Sequence, residues 1–298
     1  MSLAYIIQNL SDGLSLGSIY ALIAIGYSLT FSILRLINFA HGDILMIGAY
    51  CALWLIVGLH LPWWAGLGCA MIGAALVGML LERVAYRPLR GKGDVAALLT
   101  SLAVSILIEN IGIITVTAQP RKFEIPAYFY NLHDIAGITV SNMTLLIIGL
   151  SIALMIGFSL FVTRTRMGIA MRVCSENIGV ARLMGIDINQ VIAVTFALGS
   201  GLAAVAGVLM AGQYGRIDPL MGFIPGLKAF VAAVIGGIGS IPGAALGGYV
   251  LGVAEILLIA LLPPIYSGYR DAFVFIMLIL VLLLKPSGLL GRVEGRKV

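Results

Sequence analysis

Four ionisable side chains interrupt otherwise apolar stretches of this chain: Asp43, Glu109, Lys228 and Glu255. A charge in apolar surroundings is costly, so it pairs, lies near a helix end or lines a polar path. Asp43 and Lys228 stand close to glycine-rich turns and read as helix-end or paired charges. Glu109, followed by Asn110, lies deeper in its run and is the strongest candidate for a functional polar contact. A proton-driven carrier would need such a carboxylate as a relay, yet Glu109 and Glu255 form no pair by spacing.

Other chemistry is sparse. His41, His60 and His133 are scattered, and Cys51, Cys69 and Cys174 lie far apart with no C-x-x-C pair, so neither a metal site nor a disulfide framework is expected. Gly91-Lys92 is followed by Gly93, leaving no serine or threonine to reach magnesium as a nucleotide-binding loop requires. No H-E-x-x-H or G-x-S-x-G pattern occurs. The chain therefore reads as a non-enzyme with no catalytic residue and no cofactor of its own. Its net charge of +5 comes from short basic blocks between apolar runs, an arrangement that sets membrane orientation and points to no nucleic-acid partner.

The elements that hold these residues are set by composition. Of 298 residues, 61% are hydrophobic and 10% charged, with 37 glycines; mean hydropathy is +1.09. That is more apolar surface than one soluble core can hide, so the expected class is an all-α polytopic membrane protein. Eight runs reach or approach spanning length: Leu14–Leu34, His41–Leu59, Pro62–Leu81, Val95–Thr117, Met143–Thr163, Val191–Gln213, Ile241–Leu262 and Asp271–Leu284. A ninth, Phe223–Ile235, is short and holds Lys228, which suggests a half-helix or re-entrant segment. The first twelve residues lack Lys and Arg, unlike a cleaved signal peptide. No soluble domain is discernible; residues 1–298 read as one transmembrane domain.

Basic residues collect in three places: Arg83, Arg87, Arg90 and Lys92; Arg164, Arg166, Arg172 and Arg182; and Lys285, Arg292, Arg296 and Lys297. These segments are expected inside, with the N-terminus and the Ala118–Asn142 loop outside and the C-terminus inside. That demands an odd number of crossings, so the short ninth run must cross, alone or with the glycine turn after it.

Glycine-rich interruptions occur in each half, around Asn38, His41, Gly42 and Asp43, and around Gly236, Gly237 and Gly239. Broken segments at corresponding places in two halves suggest an internal repeat with a pathway between them, to which Glu109 and Asn110 could add side chains. Ordinary tight turns that let helices pack closely are the other reading.

The inner segment, residues 164–190, is amphipathic. If helical from about Ile169, it aligns Ile169, Val173, Val180 and Met184 in one stripe and places Arg172 and Glu176 on another face. Such a segment suits docking into a cleft on a partner protein, or else lies on the lipid surface.

Read as blocks, the segment carries Gly168, Ala170 and Arg172, then Glu176-Asn177, then Ala181, Leu183, Gly185 and Ile186. With INFAHGDILMIGAY at 37–50, KAFVAAVIGGIGSIPGAALGG at 228–248 and LLLKPSGLLGR at 282–292, the whole chain resembles the H-type permease subunits of high-affinity branched-chain amino acid ABC importers. The resemblance implies that residues 164–190 form the coupling segment to an ATPase. It further implies an M-type permease partner, two ABC ATPase subunits that use ATP and magnesium, and a periplasmic or extracytoplasmic amino acid-binding protein. The expected location is the bacterial cytoplasmic (inner) membrane, in contact with lipid. Urea and amide importer permeases share the architecture, and the N-F-A-H-G-D block with the S-I-P-G-A turn favours the amino acid type. A secondary carrier or a channel finds less support, for want of an ion site or a polar ring.

Overall fold

Long runs of Leu, Ile, Val, Ala and Gly with few prolines leave the backbone one way to satisfy its hydrogen bonds away from water, which is helix. The structure is a computed structural model that describes residues 3–135 and 137–291. Eleven α-helices follow in order: α1 Leu3–Leu34, α2 His41–Leu53, α3 Trp63–Leu81, α4 Asp94–Val116, α5 Asn142–Arg164, α6 Arg166–Glu176, α7 Ile178–Leu183, α8 Ile188–Tyr214, α9 Phe223–Gly236, α10 Ile241–Leu261 and α11 Arg270–Leu284. α2 is prolonged by a π-helical turn, Trp54–Gly58, and α3 by another, Glu82–Tyr86. Short strands β1 Arg121–Lys122, β2 Leu132–Ile135, β3 Ile138–Ser141 and β4 Arg216–Ile217, with 3-10 turns at Arg87–Leu89, Ala127–Tyr130 and Pro264–Tyr269, lie in the connections.

Among the described residues, seven helical stretches are long and apolar enough to cross a membrane. α1 and α8 form the centre, with Ile19–Ile25 and Ala203–Ala211 almost wholly buried. α10 lies antiparallel on α1. Gly17 faces Tyr249 and Gly248 faces Ala21 at distances that leave no room for a Cβ, so glycine here permits backbone contact between neighbouring helices. α3, α4 and α5 bury only one narrow face each and present Leu and Ile outward.

The connections separate cleanly into two ends. At one end, the Gln8 side chain and the Thr139 backbone exchange two hydrogen bonds, of 3.0 and 2.9 Å. There β1 pairs antiparallel with β4, Lys122 opposite Arg216. The start of α1, the Ala118–Asn142 loop and the end of α8 therefore share a side. At the other end, Gly239 N–H donates to Ser28 Oγ at 2.9 Å, some 20 residues, or about 30 Å, further along α1 from Gln8. The segment after α11 lies here too: Leu289 and Leu290 N–H donate to the Ile235 and Gly236 carbonyls at 2.8 and 2.9 Å. Arg292, Arg296 and Lys297 lie outside the described residues.

Three sequence expectations change in detail. The ninth run does pass from one end to the other, but the missing length comes from the irregular Asp218–Gly222 stretch before α9 and not from the glycine turn after it. The last span is shorter than a full crossing helix at 15 residues, about 22 Å against a ~30 Å hydrocarbon core. And the inner segment is two helices, because Asn177 adopts an extended conformation (φ −158°, ψ 108°) and caps α7 by accepting Val180 N–H at 3.0 Å.

Candidate pathway and coupling surface

α2 starts inside the bundle. His41 abuts Gly26, where any Cβ would collide with the imidazole, and Gly26 lies about 12 Å short of the end of α1. The chain leaves α1, doubles back through residues 35–40 and enters α2 at that depth. Tyr27 packs edge-on against His41, ring centroids 4.7 Å apart, and its hydroxyl receives the Gly42 N–H. The Tyr86 hydroxyl donates to Asn38 Oδ1. Three polar atoms here are buried with no hydrogen-bond partner among the described residues: Asn38 Nδ2, His41 Nε2 and Asp43 Oδ2.

The partner of this first turn was missed in the sequence. A Cβ on Gly42 would lie 2.7 Å from the Gly222 carbonyl oxygen and 3.0 Å from Gly226 Cα. The starts of the two broken helices, α2 and α9, therefore meet backbone to backbone at a three-glycine crossing. The readable signal was the Gly222-x-x-x-Gly226 spacing, a small-residue ridge for close helix approach.

Asp43 projects toward α4, where Ser105 hydrogen-bonds it and Glu109 acts on it as a like charge. Ser101, Ser105 and Glu109 recur every four residues, so one face of α4 carries a polar stripe. Asn110 leaves the group: it is exposed and folds back onto the Ile106 carbonyl at 2.7 Å.

Gly236, Gly237 and Gly239 sit elsewhere. Their turn binds α1 at Ser28, whereas the α2 turn binds it at Gly26. Two residues are roughly 200° of helix rotation, so α1 runs between the two turns. A Cβ on Gly236 would overlap the Gly243 backbone, and one on Gly237 would overlap Gly291. Gly237 and Gly239 hold φ of 109° and 93°, conformations that glycine adopts without penalty. Close approach thus requires glycine at 236 and 237, and the backbone bend favours it at 237 and 239.

Lys228 and Glu255 pair inside the bundle at 2.5 Å, and Lys228 also reaches Asp271 at 2.6 Å. Arg270 completes the set by bonding the same Glu255 oxygen. Two cations and two anions thus tie α9, α10 and α11 together, which accounts for the intramembrane lysine.

At the opposite end from β1, α6 and α7 rest on a separate apolar cluster. It joins Met171, Cys174 and Ala181 to Ile33 of α1, Tyr86 beyond α3, and Val191, Ile192 and Phe196 of α8. Burial pushes the Cys174 thiol up, so it packs as a neutral group. Gly168 faces inward against the carbonyls of Phe161 and Val162. Ala170 is half-buried, and Arg172 lies on the surface with a 3.4 Å contact to the Thr163 carbonyl. Glu176, Asn177 and Gly185 are exposed, Gly185 at φ 76°. Of the expected stripe, Ile169, Val180 and Met184 face outward, joined by Leu183 at 88% exposure, while Val173 packs against the cluster. Glu82, fully buried, holds Arg87 and Arg90 beneath this surface, and Arg90 reaches Asn189 at the start of α8 at 2.7 Å.

Seven helices of spanning length among the described residues, with a broken helical crossing at their centre and an apolar platform on one end, define a multi-pass membrane protein. The profile of the family described as branched-chain amino acid transport system permease components matches residues 9–282. The chain is 43% identical to the high-affinity branched-chain amino acid transport system permease protein BraD of Pseudomonas aeruginosa, covering 98% of each. It is 42% identical to LivH, described in the same terms, of Escherichia coli, over 99% of this chain and 98% of the relative. A probable branched-chain amino acid transport permease of Methanocaldococcus jannaschii is 28% identical over 94% of this chain. The chain belongs to the family of branched-chain amino acid transport permeases.

Proposed function

We propose that this permease forms half of the translocation pathway of an ATP-driven importer for leucine, isoleucine and valine. The observation that carries the reading is the platform of α6 and α7: apolar residues point outward at a span-bridging cluster, where a partner's motion would reach α1, α3 and α8 together. The partners are an M-type permease, two ABC ATPases that supply ATP and magnesium chemistry, and an extracytoplasmic binding protein. Gly168, Ala170 and Ala181 seat the segment; Arg172, Glu176, Asn177, Leu183 and Gly185 present it to the ATPase. The basic end faces the cytoplasm of a bacterial inner membrane, by the excess of Lys and Arg there.

For the route itself, Asn38, His41, Gly42 and Asp43 offer a helix start within the membrane, and Asp43 with Glu109 offers a carboxylate pair. The substrate's ammonium suits the carboxylates, and its carboxylate suits the positive dipole end at the start of α2. Asn110, Gly236, Gly237 and Gly239 then border the route only through the helices they shape. Gentle detergent purification tests the assembly: ATPases should co-purify, and Leu183→Asp should release them while the permease remains inserted. Retention of ATPases by that variant would remove the platform from the docking surface.

A further inference from the structure

One sizeable cavity belongs to neither the broken-helix crossing nor the coupling platform. It opens at the β1 end, has a volume of about 840 Å³, and lies between the π-helical end of α2 and β1. Its wall is apolar, with Trp54, Val57 and Leu59 all more than half exposed. Its rim is charged, formed by Arg121, Lys122 and Glu124. Arg121 is anchored where α4 ends, one guanidinium nitrogen donating to the Val116 carbonyl at 2.7 Å. Lys122 and Glu124 pair at 2.9 Å on the surface. The rim thus carries one positive charge more than it balances.

The position matters as much as the chemistry. Trp54 closes α2 and Trp64, 73% exposed, opens α3 at the same end. Exposed tryptophans at the ends of spanning helices mark the level of lipid headgroups, where the ring is half apolar and half wet. Below that level, an open apolar wall meets acyl chain; at that level, surplus guanidinium and ammonium meet phosphate. The π-helical turn adds a residue to the last coil of α2, a distortion often found at functional positions.

We infer that this cavity is a binding site for an anionic phospholipid, its phosphodiester held by Arg121 and Lys122 and one acyl chain laid along Trp54, Val57 and Leu59. The net single positive charge of the rim matches the single negative charge of a phosphatidylglycerol headgroup. An isolated acyl chain would need no basic rim, and a soluble anion would need no apolar wall.

The test uses the full chain, assembled with its transport partners in nanodiscs, with Trp63→Phe and Trp64→Phe so that Trp54 is this chain's reporter at the site, its emission read as the difference from a matched Trp54→Phe assembly. Phosphatidylglycerol or phosphatidylcholine with brominated acyl chains is titrated into an unbrominated phosphatidylcholine host. Brominated phosphatidylglycerol should quench the Trp54 emission at a several-fold lower mole fraction, and raised salt should narrow that preference. Arg121→Gln with Lys122→Gln should bring the two lipids level, and Lys122→Gln alone, which leaves the Arg121 anchor intact, should narrow the gap. Equal quenching by both lipids in the otherwise native chain, no quenching by either, or a preference that survives both substitutions would overturn the inference.

Discussion

Gly42 and Gly226 stand backbone against backbone, so that the first turns of two broken helices, α2 and α9, share one crossing in the middle of the bundle. Neither position tolerates a side chain without moving its neighbour. Overpacking a well-filled crossing costs about 1–3 kcal/mol. Gly42→Ala should therefore lower the melting temperature of the purified permease, while Gly58→Ala, with nothing within 4 Å of its would-be Cβ, should leave it unchanged. Equal melting temperatures for the two variants would show that the crossing is loose.

Asp43 sits one residue beyond that crossing, with Oδ2 unpartnered among the described residues. Asp43→Asn keeps the shape and removes the charge. A charge-assisted hydrogen bond contributes about 1.5–3 kcal/mol, so substrate passage should slow by an order of magnitude or more. Protein level and ATPase co-purification should hold. Uptake at the native rate would place the route elsewhere.

Lys228 neutralises Glu255 inside the bundle at 5% residue exposure. Removing one partner of a buried pair costs about 3–5 kcal/mol. Here Arg270 still reaches Glu255, so Lys228→Met should fall at the lower end, read as reduced thermal stability in detergent. Lys228→Met with Glu255→Leu should recover much of the loss, because no carboxylate is then stranded. A double variant no better than the single would show that packing and not charge holds α9 to α10.

Gly237 packs against Gly291 at φ 109°. Gly237→Val should therefore leave little assembled permease, measured by fluorescence-detected size exclusion. A well-assembled but transport-dead variant would instead place this turn on the route.

Sidedness is open to a labelling experiment. With Cys51, Cys69 and Cys174 replaced by alanine, a cysteine at Lys92 should react with a membrane-impermeant maleimide only from the cytoplasm, and one at Lys122 only from outside. The reverse pattern would invert the topology without altering the fold.

Much of the bundle was legible because apolar run length alone fixes a membrane helix. The two-ended sorting of loops was legible from arginine and lysine. What escaped was set by three-dimensional proximity. Lys228 and Glu255 are 27 residues apart with a turn between them, and only the α9–α10 hairpin brings them together. The Gly42–Gly222–Gly226 crossing joins segments from opposite halves of the chain. The break at Asn177 was hidden because the pattern either side stays helical, although Asn itself favours a cap over a helix interior. Periodicity found Ile169, Val173, Val180 and Met184 as one stripe, but period alone does not say that Val173 packs on the protein's own cluster while the other three face outward.

The central claim is that the chain is half of an ATP-driven pathway. The direct measurement is uptake of radiolabelled leucine into proteoliposomes holding the permease with its M-type partner, both ATPases and loaded binding protein, with ATP supplied at the ATPase face and no ion gradient imposed. Uptake should require ATP and the binding protein, and should fail for Glu176→Lys, which reverses a charge on the exposed platform. Accumulation that follows a proton or sodium gradient in liposomes holding the permease alone, unaffected by ATP, would contradict the account.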